Sequence, residues 1–319
     1  MFNFINYLRV VATALITNSH FSEIWPISAL ASGGLLGNII FFAVSGFCLY
    51  VVKDNFIKWY LKRFLRVYPV LVVVTLFTIV LGYYHVNSLK DILYLFVYPT
   101  NYFFIVWLMI LYVPFYIFSF LDTKYKKTIE LCLIGTIILW LLTYLFFVDK
   151  STYSIDNVEK PFIMFLYFTS MLMGALFKKH FDKFKKFKWS NVILLGVSTV
   201  VYFASKIAFS RFSGIAPLQI LNQFIIVIVL YFALATFTSL ETKLAKIPNK
   251  VNGAIKYFGG LTLQIYLVQF VIIRQFKSLV FPLNLAVVVL LILVFAALTH
   301  YVEYLIRKLI KNLSRVKND

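Results

Sequence analysis

Residues 129–148 read IELCLIGTIILWLLTYLFFV, an apolar run in which Glu130 is the single charged side chain. A helix of about 20 apolar residues is long enough to cross the hydrocarbon core of a bilayer. Three lysines lie in the seven residues before the run, and Asp149 and Lys150 follow it directly. The stretch therefore predicts a helix that spans a membrane.

The rest of the chain has the same character. Its 319 residues are 62% hydrophobic and 13% charged, whereas soluble domains are about 45–50% apolar and about 25% charged. A soluble fold could not hide this excess, while lipid accepts helices that are apolar all round. We therefore predict an all-α polytopic membrane helix bundle with about ten transmembrane helices. The predicted spans cover residues 4–22, 28–52, 67–84, 100–121, 129–148, 161–177, 191–209, 217–239, 257–275 and 280–306.

The basic residues lie mostly in alternate loops. Of the 31 lysines and arginines, 23 lie in the C-terminal tail or in loops on the same side as the N-terminus, and seven lie on the opposite side. Loops rich in lysine and arginine face the cytoplasm, so both termini are predicted to be cytoplasmic in a plasma or inner membrane. The loops are too short to hold an appended soluble domain, and residues 1–319 are predicted to form one transmembrane domain.

The net charge of +19 raises the question of nucleic acid. Because the basic residues form short runs between apolar stretches, we interpret them as topology signals and contacts with anionic membrane lipids, and we predict no nucleic-acid partner. Cys48 and Cys132 both lie in apolar runs without metal-ligand spacing. We interpret them as small hydrophobic residues and predict no metal site.

The first predicted span carries an arginine and a histidine. Arg9 and His20 are 11 residues apart, so on a helix they point the same way, about 16 Å apart along the axis. Glu23 reaches the imidazole if the helix persists, and a neighbouring carboxylate gives histidine the basicity of a general base. The alternative is structural: Arg9 extends to the inner surface and His20 lies at the interface.

Two arginines precede the third predicted span. Arg63 and Arg66 are three residues apart, and two guanidinium groups on one helical face can clamp phosphate. The alternative is that they flank the span on its cytoplasmic side. In the second span, Ser45-Gly46 permits close approach of another helix backbone.

A histidine and a carboxylate lie in the last predicted span. His300 and Glu303 are three residues apart and could pair with each other or with Arg9. Structural pairing is the simpler interpretation.

Taken in chain order, these motifs form a pattern. They are Leu8-Arg9 with His20, Gly37 followed by Phe41-Phe42-Ala43-Val44-Ser45-Gly46-Phe47, and Arg63-Phe64-Leu65-Arg66-Val67-Tyr68-Pro69. Their order resembles that in the acyltransferase family 3 proteins, and the likeness extends along the whole chain to Gly174 and Glu303. A late Tyr-Leu-x-His motif of the family reads Tyr266-Leu267-Val268-Gln269 here, which leaves the role of Gln269 open.

The resemblance implies a membrane-bound O-acyltransferase of about ten spans. Such proteins move an acyl group, usually acetyl, from a cytoplasmic coenzyme A thioester to a sugar. The resemblance implies that Arg63 and Arg66 bind the phosphates of acetyl-CoA, and that Arg9 and Ser45 help to hold the donor. Ser45, Asn38 and Arg9 are all candidates for the group that stabilises the oxyanion.

On the acceptor side, the resemblance implies that His20 acts as general base on a hydroxyl of a glycan or lipid-linked sugar, with Glu23 orienting it. A transient acyl-histidine is an open alternative. The main rival function is a transporter that exports a polysaccharide or a lipid-linked glycan intermediate. A scaffold subunit is a third interpretation, but it gives no reason for Arg9 and His20 on one face.

Overall fold

The computed structural model describes residues 2–99, 102–276 and 278–316. Lys277 and Lys317, counted among the loop and tail cations, lie outside the described residues, as do the first two residues of the predicted span 100–121.

Helices are the only regular secondary structure among the described residues, which contain no strand. The α-helices in these ranges are α1 (Asn3–Ser19), α2 (Gly34–Leu49), α3 (Phe56–Val80), α4 (Leu89–Ile92), α5 (Phe103–Lys124), α6 (Thr128–Phe147), α7 (Ile163–Lys179), α8 (Trp189–Arg211), α9 (Ile220–Ser239), α10 (Glu241–Leu244), α11 (Asn249–Gly260), α12 (Thr262–Phe276) and α13 (Leu283–Val316). A π-helical turn follows α4 at Leu93–Val97, and 3₁₀ turns lie at Ser28–Leu30, Phe181–Phe184 and Ser213–Leu218.

Seven of the described helices are long and apolar enough to cross a membrane, or eight if the bent pair of α11 and α12 forms one span. Two further helices, α1 and α7, have 17 residues each and lie in predicted spans. The chain is therefore a multi-pass helical membrane protein. The number of about ten spans and the cytoplasmic location of both termini stay predictions.

Helix α3 begins well before the predicted span 67–84. It starts at Phe56, where the Asn55 side chain accepts a hydrogen bond of 3.0 Å from a backbone amide in the first turn. Such a cap satisfies a donor that would otherwise have no partner, and it favours a helix start even in a basic stretch. Arg63 and Arg66 therefore lie on one helix, as the predicted phosphate clamp requires, and that helix begins before the predicted span 67–84.

The predicted span 257–275 is a broken helix. Helices α11 and α12 meet at Leu261 with a bend of 61°, just after the Gly259-Gly260 pair. Glycine lowers helix stability, so a break at this point is cheap. As a result α11 occupies much of the region that we had predicted to be a loop, and α12 enters the bundle as a separate segment.

Helix α1 is anchored at its first turn. The Glu241 carboxylate accepts hydrogen bonds from the backbone amides of Asn3 at 3.0 Å and Phe4 at 2.9 Å. An anion at this position satisfies unpaired amides and complements the helix dipole. The anchor fixes α1, which carries Arg9 and ends at Ser19.

Helices α2 and α7 approach each other to backbone contact. A Cβ atom added at Gly46 would lie 1.9 Å from the carbonyl oxygen of Met171, and one added at Gly174 would lie 1.9 Å from that of Ala43. This confirms the close helix approach predicted at Ser45-Gly46. Because two glycines face the same crossing, side chains at neither position fit the observed distance.

A buried carboxylate ties the end of α2 to three other helices. Asp122 of α5 accepts hydrogen bonds from the Tyr50 hydroxyl at 2.6 Å, from the Ile129 amide of α6 at 3.1 Å and from Lys179 of α7 at 3.0 Å. Asp122 is only 4% exposed, so these partners offset the cost of burying its charge. The network fixes the C-terminal end of α2, just after Cys48.

Candidate active site

A cavity of about 700 Å³ opens between α1, α2, α3, α5, α12 and α13. Its wall includes Arg9 from α1, Ser45 from α2, and Arg63 and Arg66 from α3. These are the four residues predicted to bind the donor, and the fold brings them to one place from distant parts of the sequence.

The charged side chains of the cavity wall are predominantly cationic. Arg9, Arg63, Arg66 and Lys62 contribute positive charge, while Glu303 contributes a carboxylate. A concave site lined mainly by one sign of charge concentrates ligands of the opposite sign. The charge distribution therefore suits an anionic ligand.

Lys62 connects the cavity to the loop before α3. Its ammonium lies 2.6 Å from the Asp54 carboxylate, and this hydrogen bond lowers the pKa of that carboxyl below its ordinary value. The Lys62 side chain is 54% exposed. Solvent screening keeps such an exposed pair weak, so Lys62 can exchange Asp54 for an incoming anion.

The two arginines of α3 are held differently. The Arg63 guanidinium lies 4.2 Å from the centre of the Trp59 ring, and its Nη1 donates a hydrogen bond of 2.8 Å to the Trp59 carbonyl. Stacking and hydrogen bonding together fix its orientation. Arg66, one turn further along α3, is exposed. The pair combines a guanidinium of fixed orientation with an exposed one.

Cys48 lies on the same wall, beside Arg9. The distance from Arg9 Nη2 to Cys48 Sγ is 3.9 Å, and the cysteine is exposed. Our interpretation of Cys48 as a small hydrophobic residue in the bundle was therefore wrong. An apolar run cannot reveal this, because the stretch is apolar on both sides of the residue.

A polar cluster from α12 and α13 completes the cavity wall. Gln264 Nε2 donates a hydrogen bond of 2.7 Å to Glu303 Oε2, and the same nitrogen lies 3.4 Å from His300 Nδ1. His300 Nδ1 lies 3.7 Å from Glu303 Oε2. The predicted proximity of His300 and Glu303 is thus present, with Gln264 as a third member.

His20 is not among the residues that line the cavity. Ile16 lines the cavity wall, and His20 follows it by four residues, which corresponds to about 6 Å along a helix. The imidazole packs on the Phe270 ring, with 4.4 Å between ring centres. The role of His20 as general base therefore stays a prediction.

Glu23 does not share a helix with His20. Helix α1 ends at Ser19, and Glu23 is exposed in the turns that follow. The expectation that Glu23 reaches the imidazole rested on a persistent helix, so the helical-spacing argument does not apply. A role for Glu23 in orienting His20 stays a prediction without that support.

Sequence reasoning missed several residues of the wall. The cavity wall includes Tyr112 of α5, Gln264 of α12 and Lys62. The sequence around each of them has no motif that indicates a functional site. Tyr112 lies among other aromatic residues of a span, and Lys62 lies among other cations. Among the described residues, no group of three or more histidine, cysteine, aspartate or glutamate side chains is placed to hold a metal ion.

Comparison with known proteins agrees with the motifs on which the cavity is built. The sequence model of the acyltransferase domain, acyltransferase family 3, matches residues 2–302. Searches of the curated proteins and of the solved structures return no match. The family match spans nearly the whole chain, and it includes Arg9, Ser45, Arg63 and Arg66 of the cavity wall. The chain therefore belongs to acyltransferase family 3, a family of membrane acyltransferases.

Proposed function

We propose that this protein is a membrane O-acyltransferase that moves an acyl group, with acetyl as our first choice, from cytoplasmic acyl-CoA to a hydroxyl of a cell-envelope or exported glycan. The observation that carries the proposal is the convergence of Arg9, Ser45, Arg63 and Arg66 on one cationic cavity. In an acyltransferase family, a cavity of that charge suits a donor that carries phosphates.

The donor end of the cavity is formed by α3. Arg63 and Arg66 are one turn apart, and each guanidinium can bind two phosphate oxygens at once. Lys62 adds a third cation at the same end. At about 700 Å³ the cavity falls in the range of about 300–1,000 Å³ that is usual for sites of organic ligands.

The acyl end of the donor would lie deeper, near α1. Arg9 can donate hydrogen bonds to a thioester carbonyl, where negative charge develops as a hydroxyl attacks. His20 would take the hydroxyl proton. Because a charged nucleotide does not cross about 30 Å of hydrocarbon freely, a site that passes only the acyl group along α1 joins a donor on one side to an acceptor on the other.

The test is transfer of the acyl group by the purified protein in lipid. With radiolabelled acetyl-CoA and envelope glycan, the wild type should acetylate the glycan, and His20→Ala should lose about 10²–10⁴-fold in rate, the usual contribution of a general base. His85→Ala is the matched control, since His85 is exposed in the loop after α3 and its loss should leave the rate unchanged. Full turnover by His20→Ala would contradict its assigned role.

The exporter alternative makes a different prediction. It requires flux of glycan across vesicles that contain the protein but no acyl-CoA, and it gives no reason for the donor to bind. Glycan flux without acetylation would overturn the acyltransferase proposal, whereas acetylation that depends on acetyl-CoA and on His20 supports it.

A further inference from the structure

His300 is a second histidine of the bundle, and it lies on the cavity wall itself. Its side chain is 46% exposed, and it shares the wall with Arg9, Arg63 and Arg66. His20, by contrast, is not among the residues that line the cavity. The histidine that shares the space of the phosphate-binding arginines is therefore His300.

The contacts of His300 decide which ring nitrogen carries a proton. The Gln264 amide nitrogen, 3.4 Å from Nδ1, also donates to Glu303 Oε2 at 2.7 Å. An amide N–H beside Nδ1 favours the tautomer in which Nδ1 accepts and Nε2 carries the proton. If the ring takes up a second proton, the Glu303 carboxylate lies 3.7 Å from Nδ1 and stabilises the cation. In this doubly protonated form the ring can donate its Nε2 proton and return to the neutral state.

Nε2 lies on the side of the ring away from Gln264 and Glu303. Among the described side chains, no hydrogen-bond partner of Nε2 is found. Glu303 is 6% exposed and its contact with Gln264 fixes it, so the imidazole is oriented by a buried support. A half-exposed ring, supported on one nitrogen and open on the other, is the arrangement of a proton donor to a bound ligand.

Acyl transfer from a thioester is accelerated by such a donor. The oxygen–carbon bond to the acceptor forms as the carbon–sulfur bond breaks, and the electron pair of that bond leaves on sulfur. The acceptor hydroxyl gives up its proton to a base, and the sulfur must gain one to leave as a thiol. At neutral pH an alkyl sulfur leaves more readily as the thiol than as the thiolate, because thiols of this kind ionise with a pKa of about 8.5 or higher.

We propose that His300, oriented by Glu303 and Gln264, is a catalytic residue that donates the Nε2 proton to the sulfur of the departing coenzyme A. The inference rests on the proposed function and adds the second proton transfer of the reaction. Each turnover leaves one proton more on the base and one fewer on His300. Exchange with water through the exposed end of the cavity restores both.

The test compares donors whose thiols differ in acidity. With acetyl-CoA, His300→Gln should lower kcat by about 10²–10⁴-fold, as expected for loss of a general acid, with little change in donor KM. With an acetyl aryl thioester, whose thiolate leaves without a proton, the loss should shrink to less than about tenfold, because no proton transfer is removed. A merely structural role would give equal losses with both donors, and equal losses would overturn the proposal.

A pH profile gives a second readout that needs acetyl-CoA alone. A general acid fails when it loses its proton, so kcat of the wild type should fall on the alkaline side and that fall should disappear in His300→Gln. An alkaline limb that survives unchanged in the variant would overturn the proposal and would assign the limb to another group of the wall. The other titratable or charged groups there are Arg9, Cys48, Lys62, Arg63, Arg66, Tyr112, Tyr266, Glu303 and Tyr304.

Two controls separate failure of this inference from failure of the proposed function. If the wild type transfers acetyl from neither donor, the proposed function falls and this inference falls with it. If the wild type is active and His300→Gln is as active with acetyl-CoA, only this inference falls. His300→Asn provides a second variant if His300→Gln melts at a lower temperature than the wild type, and His85→Ala should match the wild type throughout.

Discussion

Two faces of helix α2 differ in packing: one is tightly packed against α7 and the other lines a cavity. Adjacent residues, Gly46 and Ser45, belong to the two faces. Gly46 faces α7, where a carbonyl oxygen occupies the space that a Cβ would need. Ser45 and Cys48 face a cavity of about 700 Å³. Because successive side chains on a helix point about 100° apart, one short motif supplies both a rigid crossing and a cavity wall.

The difference explains how a cavity can persist within a helical bundle. Tight packing resists displacement because even small changes of volume are costly in a dense interior. The crossing of α2 and α7 thus holds Ser45 at a fixed position, and the Tyr50–Asp122 hydrogen bond fixes the end of the same helix. The rigid side determines where the open side lies.

The largest effect is expected from a substitution at the tight crossing of α2 and α7. Gly46→Ala places a Cβ against the carbonyl oxygen of Met171, and because the obstacle is backbone the helices must separate. We expect a loss of stability of about 1–3 kcal/mol or more and a large loss of acyl transfer, measured by thermal melting and turnover. Gly196→Ala in α8 is the matched control, since nothing lies within 4 Å of its added Cβ. Equal melting temperatures for the two variants would contradict the account.

The second largest effect is expected from removal of positive charge from the cavity wall. A charge-assisted hydrogen bond contributes about 1.5–3 kcal/mol, and 1.4 kcal/mol corresponds to a factor of ten. Arg63→Ala combined with Arg66→Ala should therefore raise donor KM by at least about tenfold, without a comparable fall in melting temperature. Arg211→Ala, at the exposed end of α8, should leave KM unchanged. An unchanged donor KM in the double variant would contradict the assignment of the cavity as the donor site.

A smaller effect concerns the anchor of α1. Glu241→Gln keeps the shape of the side chain but removes the charge that accepts from Asn3 and Phe4. Loss of a helix cap of this kind costs about 1 kcal/mol. We expect melting a few degrees lower and kcat nearly unchanged, since the cap positions α1 but lies outside the cavity. A fall in kcat without a fall in melting temperature would place Glu241 in the reaction.

The smallest effect is a change in labelling rate. Cys48 is exposed on the cavity wall and Cys132 is partly buried in α6. In a Cys132→Ser background, saturating acetyl-CoA should slow maleimide labelling of Cys48 several-fold because the donor occupies the space beside it. In a Cys48→Ser background, labelling of Cys132 should not respond to acetyl-CoA. Equal responses of both thiols would indicate a general change in the protein and not occupancy of the cavity.

The sequence was sufficient to predict an all-helical membrane protein and the four donor-binding residues that share the cavity wall. Long apolar runs predict helices in a membrane, and motif order in a family indicated Arg9, Ser45, Arg63 and Arg66. The start of α3 was missed because a basic stretch reads as a loop, although Asn55 caps a helix there. The break at Leu261 was missed because apolar residues continue through it.

The remainder of the site depends on contacts between distant helices. The role of Gln264 depends on its hydrogen bond to Glu303 of α13, 39 positions away. A single sequence does not show that these two residues are in contact. Cys48 was misread because hydropathy cannot distinguish a face that meets lipid or protein from a face that meets a cavity. His20 was predicted as part of the site; its imidazole packs on the Phe270 ring, and its catalytic role stays a prediction.

The central claim is that the cationic cavity binds the acyl donor, and direct binding tests it most simply. Purified wild-type protein in lipid nanodiscs should bind acetyl-CoA saturably and melt at a higher temperature with it, since a ligand of the folded state stabilises that state. The double variant Arg63→Ala and Arg66→Ala should lose this shift at the same ligand concentration, while Arg211→Ala should keep it. No binding by the wild type, or equal binding by the double variant, would contradict the account.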